Sequence, residues 1–132
     1  MHSIRAILID KNEDIWIGTR EAKYIGNVYK RKIGEENFTR IPKTKVGEIF
    51  TIATDNKENI YAGSWTNYGD GNLFKYNNKT NNFELAVNIP TNLGSVESIF
   101  IDENNDIYFG TRIGSSGYSN EGSLYKMREI CM

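Results

Sequence analysis

Apolar residues in this chain come in short runs, and the runs recur. Residues 4–9, 49–54 and 96–101 are rich in Ile, Phe and Val. Nearly continuous apolar runs of this length predict inner strands covered on both faces. A second run follows each of them, at 15–19, 60–64 and 107–111, and its aromatic and β-branched residues predict a second strand. Lys, Asn, Glu and Asp fill the short gap between the two, which reads as a tight turn. Asp10, Asp55 and Asp102 stand at the exit of the first strand, where a carboxylate can accept backbone N–H groups of that turn. Third strands are expected at 26–31, 71–76 and 122–127, each opening on a glycine. Outer fourth strands are expected at 37–41 and 82–89, with Gly34 and Asn77-Asn78 marking the turns before them. No stretch has a convincing 3.6-residue period, so the fold class is all-β.

The runs are copies of one unit. Gly18 and Gly63 lie 45 residues apart, and Gly63 and Gly110 lie 47 apart; Asp10, Asp55 and Asp102 repeat the same two steps. A second landmark stays in register: Gly26-Asn27-Val28-Tyr29-Lys30, Gly71-Asn72-Leu73-Phe74-Lys75 and Gly122-Ser123-Leu124-Tyr125-Lys126. A third runs from Phe38 to Ile41-Pro42 and from Phe83 to Ile89-Pro90. Four short strands in about 45 residues is the spacing of a β-propeller blade. The sequence is therefore expected to form one domain, 1–132, of three blades at about 1–45, 46–92 and 93–132. The last blade is expected to be incomplete, because Ile130-Cys131-Met132 is too short for its fourth strand. Three blades are fewer than the roughly 4–8 that usually close a ring. An isolated arc leaves an apolar wall at each end. Self-association is expected to cover those walls, as a homodimer giving six blades, or else a further propeller segment.

Composition removes several function classes. At 132 residues the chain is long enough for a real core. A net charge of −1 gives no electrostatic reason to expect nucleic acid or an anionic membrane as partner. The short basic run Lys30-Arg31-Lys32 reads as a solvated strand end. Cys131 is the single cysteine, so no internal disulfide forms, which fits a reducing compartment. No apolar run approaches the roughly 20 residues of a membrane span. The N-terminus lacks a signal-peptide core, and the chain as written is expected in the cytoplasm.

The hairpin residues carry a family resemblance. Ile4, Ile7, Ile9-Asp10 and Ile15-Trp16-Ile17-Gly18-Thr19 resemble the blade motif of two-component regulator propeller repeats. Ile99-Phe100-Ile101-Asp102 with Ile107-Tyr108-Phe109-Gly110-Thr111 is similar, whereas Thr54 and Ala62-Gly63-Ser64 depart most. The streptogramin-lyase and NHL propellers share the motif in looser form. The resemblance implies a ligand-sensing domain of the kind found in bacterial hybrid sensor kinases. It also implies a periplasmic or extracellular position, if the chain is a piece of such a sensor. The family usually places a glycine three residues after the aspartate. Here that position holds Glu13, Glu58 and Asn105, which leaves two readings: a different turn type, or a match to the broader superfamily.

In such propellers ligands usually sit on the face built by loops after the second and fourth strands. Arg20, Trp65 and Arg112 occupy equivalent positions there, each just after the Thr or Ser that ends the motif. With Asn67, Tyr68 and Tyr118 from the loops that follow, they are the candidate ligand-binding residues. Aromatic and amide groups at a rim suit a small polar ligand, a glycan or a peptide. The plainer reading is packing between blades, with the arginines paired to Glu21, Asp70 or Glu121. Catalytic chemistry has little support. His2 is the single histidine, and Cys131 has no partner histidine. The segment 102–106 lacks the glycine and terminal glutamate of a calcium loop. No cofactor or metal is expected. The reading is a non-enzymatic binding module; the alternatives are a lyase-like enzyme with a site between subunits, and a truncated remnant of a larger sensor.

Overall fold

The computed structural model describes residues 3–42, 47–65, 71–88, 94–113 and 121–127. Among these residues there is no helix, and the regular structure is all β. β1 (Ser3–Ile9), β2 (Ile15–Arg20), β3 (Val28–Arg31) and β4 (Thr39–Arg40) form one antiparallel sheet in that order. β5 (Glu48–Thr54), β6 (Ile60–Trp65), β7 (Gly71–Asn77) and β8 (Asn82–Asn88) form the second in the same order. β9 (Ser95–Ile101), β10 (Ile107–Ile113) and β11 (Glu121–Met127) form the third. Each repeat is thus a meander, as its pattern predicts. The outer strand expected at 37–41 shrinks to two residues in β4. Residues 130–132, where a fourth strand of the third blade was expected to be missing, lie outside the described residues.

The turn between first and second strands has the same bonds three times. Asp10, Asp55 and Asp102 each accept the N–H of Glu13, Glu58 or Asn105 on their main-chain oxygens, at 2.9, 3.2 and 2.9 Å. Their Oδ1 atoms accept two further backbone N–H groups, from residues two and four positions on, at 2.9–3.0 Å. Glu13, Glu58 and Asn105 have φ of 66°, 67° and 64°. The left-handed turn therefore survives without its glycine, and the reading of a different turn type is corrected at this point. The aspartate bonds supply the reason: they fix the turn from both sides and over-determine the unfavourable backbone. Inner strands also share a bulge, between Ile4 and Ala6, between Ile49 and Thr51, and opposite Gly110/Thr111.

The sheets stack in a row. β5 packs on β1 and β2, and β9 packs on β5, β6 and β7. The first junction is built of Ala6, Trp16 and Val28 against Ile49, Ile52 and Ile60, with Phe74 and Phe83 behind them. Trp16 meets Tyr76 edge-on at 4.9 Å and Phe83 at 6.3 Å, so aromatic contacts tie the two blades together. The second junction repeats the scheme with Tyr61 and Leu73 against Val96, Ile107 and Phe109. A glycine of the second strand makes room in each. A Cβ on Gly18 would come within 2.3 Å of Ile49 Cγ2, and one on Gly63 within 2.7 Å of Val96 Cγ1. Close approach, and not φ, is why these glycines are there.

Among the described residues the row does not close into a ring. Burial on both faces, expected of every inner strand, is a correction at the two ends. Ile4, Ile7 and Ile9 of β1 are exposed, as are Phe100 of β9 and Leu124 of β11.

Candidate functional site

The sequence places its candidate residues at the end of the blades opposite the aspartate turns. Arg20 closes β2, Trp65 closes β6, and Arg112 precedes the last residue of β10. Arg20 and Trp65 are brought together by a residue the sequence reading did not single out. Glu48, which opens β5, is buried. Its Oε1 lies 2.9 Å from Arg20 Nε, and its Oε2 accepts the N–H of Tyr24 at 2.9 Å. Trp65 is directly opposite Glu48 in the β5–β6 ladder. The Tyr24 ring meets Trp65 edge-on at 4.8 Å, and Lys23 Nζ stands 5.1 Å above the Tyr24 ring.

The first loop is held in shape to do this. Glu21 N–H donates to the Ile25 carbonyl at 2.8 Å, and Ala22 and Ile25 form an isolated bridge. Tyr24 takes a positive φ of 64° within this hairpin. Gly26 has no room for a side chain, since a Cβ would lie 2.1 Å from the Thr19 carbonyl and 2.6 Å from that of Gly47. Glu21 accepts from the Tyr29 hydroxyl at 2.7 Å and from Asn27 Nδ2. Burial first, and then this bond to Glu21, hold the Tyr29 phenol above its ordinary pKa. The pairing of Arg20 with Glu21, offered by adjacency, thus gives way to a pairing across blades with Glu48.

Arg112 stands at the corresponding place on the third blade and is exposed. Its carbonyl accepts Ser95 Oγ at 3.5 Å. Asn67, Tyr68 and Tyr118 lie outside the described residues. Glu48 carried a sequence signal after all: Ser3 and Ser95 hold its place in the other two repeats, so a carboxylate there is an irregularity.

The opposite end, beside the aspartate turns, holds an open groove of about 940 Å³. Its lining mixes lysines with carboxylates, among them Lys11, Lys75, Asp55 and Glu84. Lys30 is also there, 3.6 Å from Asp14 Oδ2 and 4.5 Å above the Trp16 ring. The basic run is therefore not simply a solvated strand end, because its first lysine is spent on the blade itself. Among the described residues no group of three His, Cys, Asp or Glu is placed to hold a metal ion, and no helix is long and apolar enough to cross a membrane.

Among curated proteins none matches the chain. Residues 2–21 match the family model described as two component regulator propeller. That segment is the β1–turn–β2 hairpin, and the later hairpins at 48–65 and 95–113 copy its turn bonds, its bulge and its glycine.

Proposed function

We propose that the protein is a non-enzymatic binding module of the β-propeller type, one domain of three blades at about 1–45, 46–92 and 93–132. Its contact surface is the rim at the ends of the second strands, formed by Arg20, Trp65 and Arg112 with Asn67, Tyr68 and Tyr118 from the loops that follow. A small polar ligand, a glycan or a peptide suits it. One observation carries the reading. Tyr24 and Trp65 come from different blades and meet at 4.8 Å on this rim, anchored by the buried Glu48 carboxylate, which pairs with the half-exposed Arg20. An aromatic pair held by a buried charge is pre-organised, and pre-organisation lowers the ordering cost of binding. The partly exposed Trp65 ring gives a glycan or an aromatic side chain a flat face to stack on.

The test is a screen of glycans, short peptides and polar metabolites by calorimetry, repeated with Trp65→Ala and Arg112→Ala. A rim ligand loses affinity by about tenfold or more on either substitution, as expected of a contact at the centre of a binding surface. A ligand whose affinity is unchanged by both substitutions sinks the rim as the binding surface.

A further inference from the structure

The two open walls of the row are not arbitrary apolar patches. They are the two halves of a junction the molecule already makes twice. At each internal junction the preceding blade offers an aromatic, a glycine and an aliphatic: Trp16, Gly18 and Val28, then Tyr61, Gly63 and Leu73. The following blade inserts an aliphatic from the start of its inner strand beside the glycine, Ile49 and then Val96. The third blade offers the same set again on its open wall, Tyr108, Gly110 and Leu124. The first blade presents the matching knob, Ile4, on its own open wall, with Ile7 and Ile9 beyond it. Exposure tells the same story. Ile4 is 52% exposed, whereas Ile49 and Val96 are 0%; Leu124 is 75% exposed, whereas Val28 is 2% and Leu73 is 0%. At Gly110 a Cβ would meet only Ser98 Oγ, at 2.9 Å, so the hole is formed and has no knob among the described residues.

We infer that a second copy of this chain covers both walls, head to tail, with Ile4 of each copy seated beside Gly110 of the other. The junction is heterologous, and two of them close a ring of six blades, within the usual range of roughly 4–8. Because hole and knob are on opposite ends of the same molecule, each copy supplies what the other lacks. This inference is independent of any rim ligand.

Sedimentation velocity over a wide dilution series tests it. The chain is expected at twice its 15.1 kDa mass. A monomer throughout, or an open-ended series of larger species, overturns the ring. Ile4→Glu and Leu124→Glu each place a charge on an exposed wall, so both are expected to keep the β circular dichroism of the parent and to sediment as monomers. A dimer that survives both substitutions overturns these faces as the junction. Mixing the two variants distinguishes head-to-tail from face-to-face association. The unaltered third blade of one and the unaltered first blade of the other form one intact junction, so the mixture contains more dimer than either variant alone. A mixture with no more dimer than its components overturns the head-to-tail arrangement.

Discussion

Glu13, Glu58 and Asn105 occupy the same left-handed position, yet they do different work. For an L-residue this backbone costs roughly 1–2 kcal/mol relative to the right-handed one. Glu13 returns nothing visible for it: its side chain is exposed. Asn105 is buried, and its Oδ1 accepts the N–H of Asn56 from the neighbouring blade at 2.9 Å. Glycine at the first position removes strain without removing a bond, whereas glycine at the third also removes an acceptor. Glu13→Gly is therefore expected to raise stability by about 1 kcal/mol, read as a higher urea midpoint at unchanged slope. Asn105→Gly is expected to show no gain or a loss, because the bond given up is worth about 1 kcal/mol. Equal gains at both positions would show that the Asn56–Asn105 bond contributes nothing.

Blades are joined by close approach of strands, so the second-strand glycine is where the joint is most sensitive. Gly63→Ala would set a methyl 2.7 Å from Val96 Cγ1 and 2.8 Å from the Val96 carbonyl oxygen, a backbone atom that cannot rotate away. Overpacking of this kind costs about 1–3 kcal/mol, and thermal unfolding of Gly63→Ala is expected to shift down accordingly. An unchanged midpoint would mean that the third blade slides freely on the second. The repeat made these glycines easy to find, but not to interpret. What each one accommodates, Ile49 or Val96, lies about thirty residues further along, and only the stacking of blades brings it there. Hairpins were legible for the opposite reason: aspartate, turn and apolar runs are neighbours in sequence. The packing of Lys30 is not legible from its local sequence, because its partners Trp16 and Asp14 reach it through the β2–β3 register, where Lys30 is opposite Trp16. Arg20 was matched to a neighbouring acid because local spacing cannot see Glu48 in the next blade. The candidate site was half legible on the same terms: its positions follow from the repeat, whereas the Tyr24–Glu48–Trp65 cluster depends on two blades meeting.

At the scale of the whole molecule the open walls match in shape and apolar character, but not in charge. Between the second and third blades, Asn56 N–H reaches Asn105, and Asn56 Nδ2 donates to the Glu103 carbonyl at 2.9 Å. In the junction proposed between copies, Glu103 stands where Asn56 does and Glu13 stands where Asn105 does. The Glu13 carboxylate then accepts the main-chain N–H of Glu103, and the Glu103 carboxylate stands beside it where the internal junction has the neutral Asn56 side chain. Both are exposed, so their repulsion is modest and open to screening, with a Debye length of about 10 Å at 0.1 M salt. The expected sign is unusual for a charged interface: the dimer tightens as salt is added, by about threefold for a repulsion of about 0.3 kcal/mol removed by screening at each of its two junctions. Glu13→Lys keeps the same backbone demand and turns the repulsion into an attraction. It is therefore expected to bind more tightly than the parent at low salt and to lose that advantage as salt rises. Dissociation constants from sedimentation across a salt series, for parent and Glu13→Lys together, decide it. Apolar burial also strengthens with some salts, but it does so for both proteins alike. Parallel salt dependences in the two would separate Glu13 from Glu103 and require a different seating of one copy on the other.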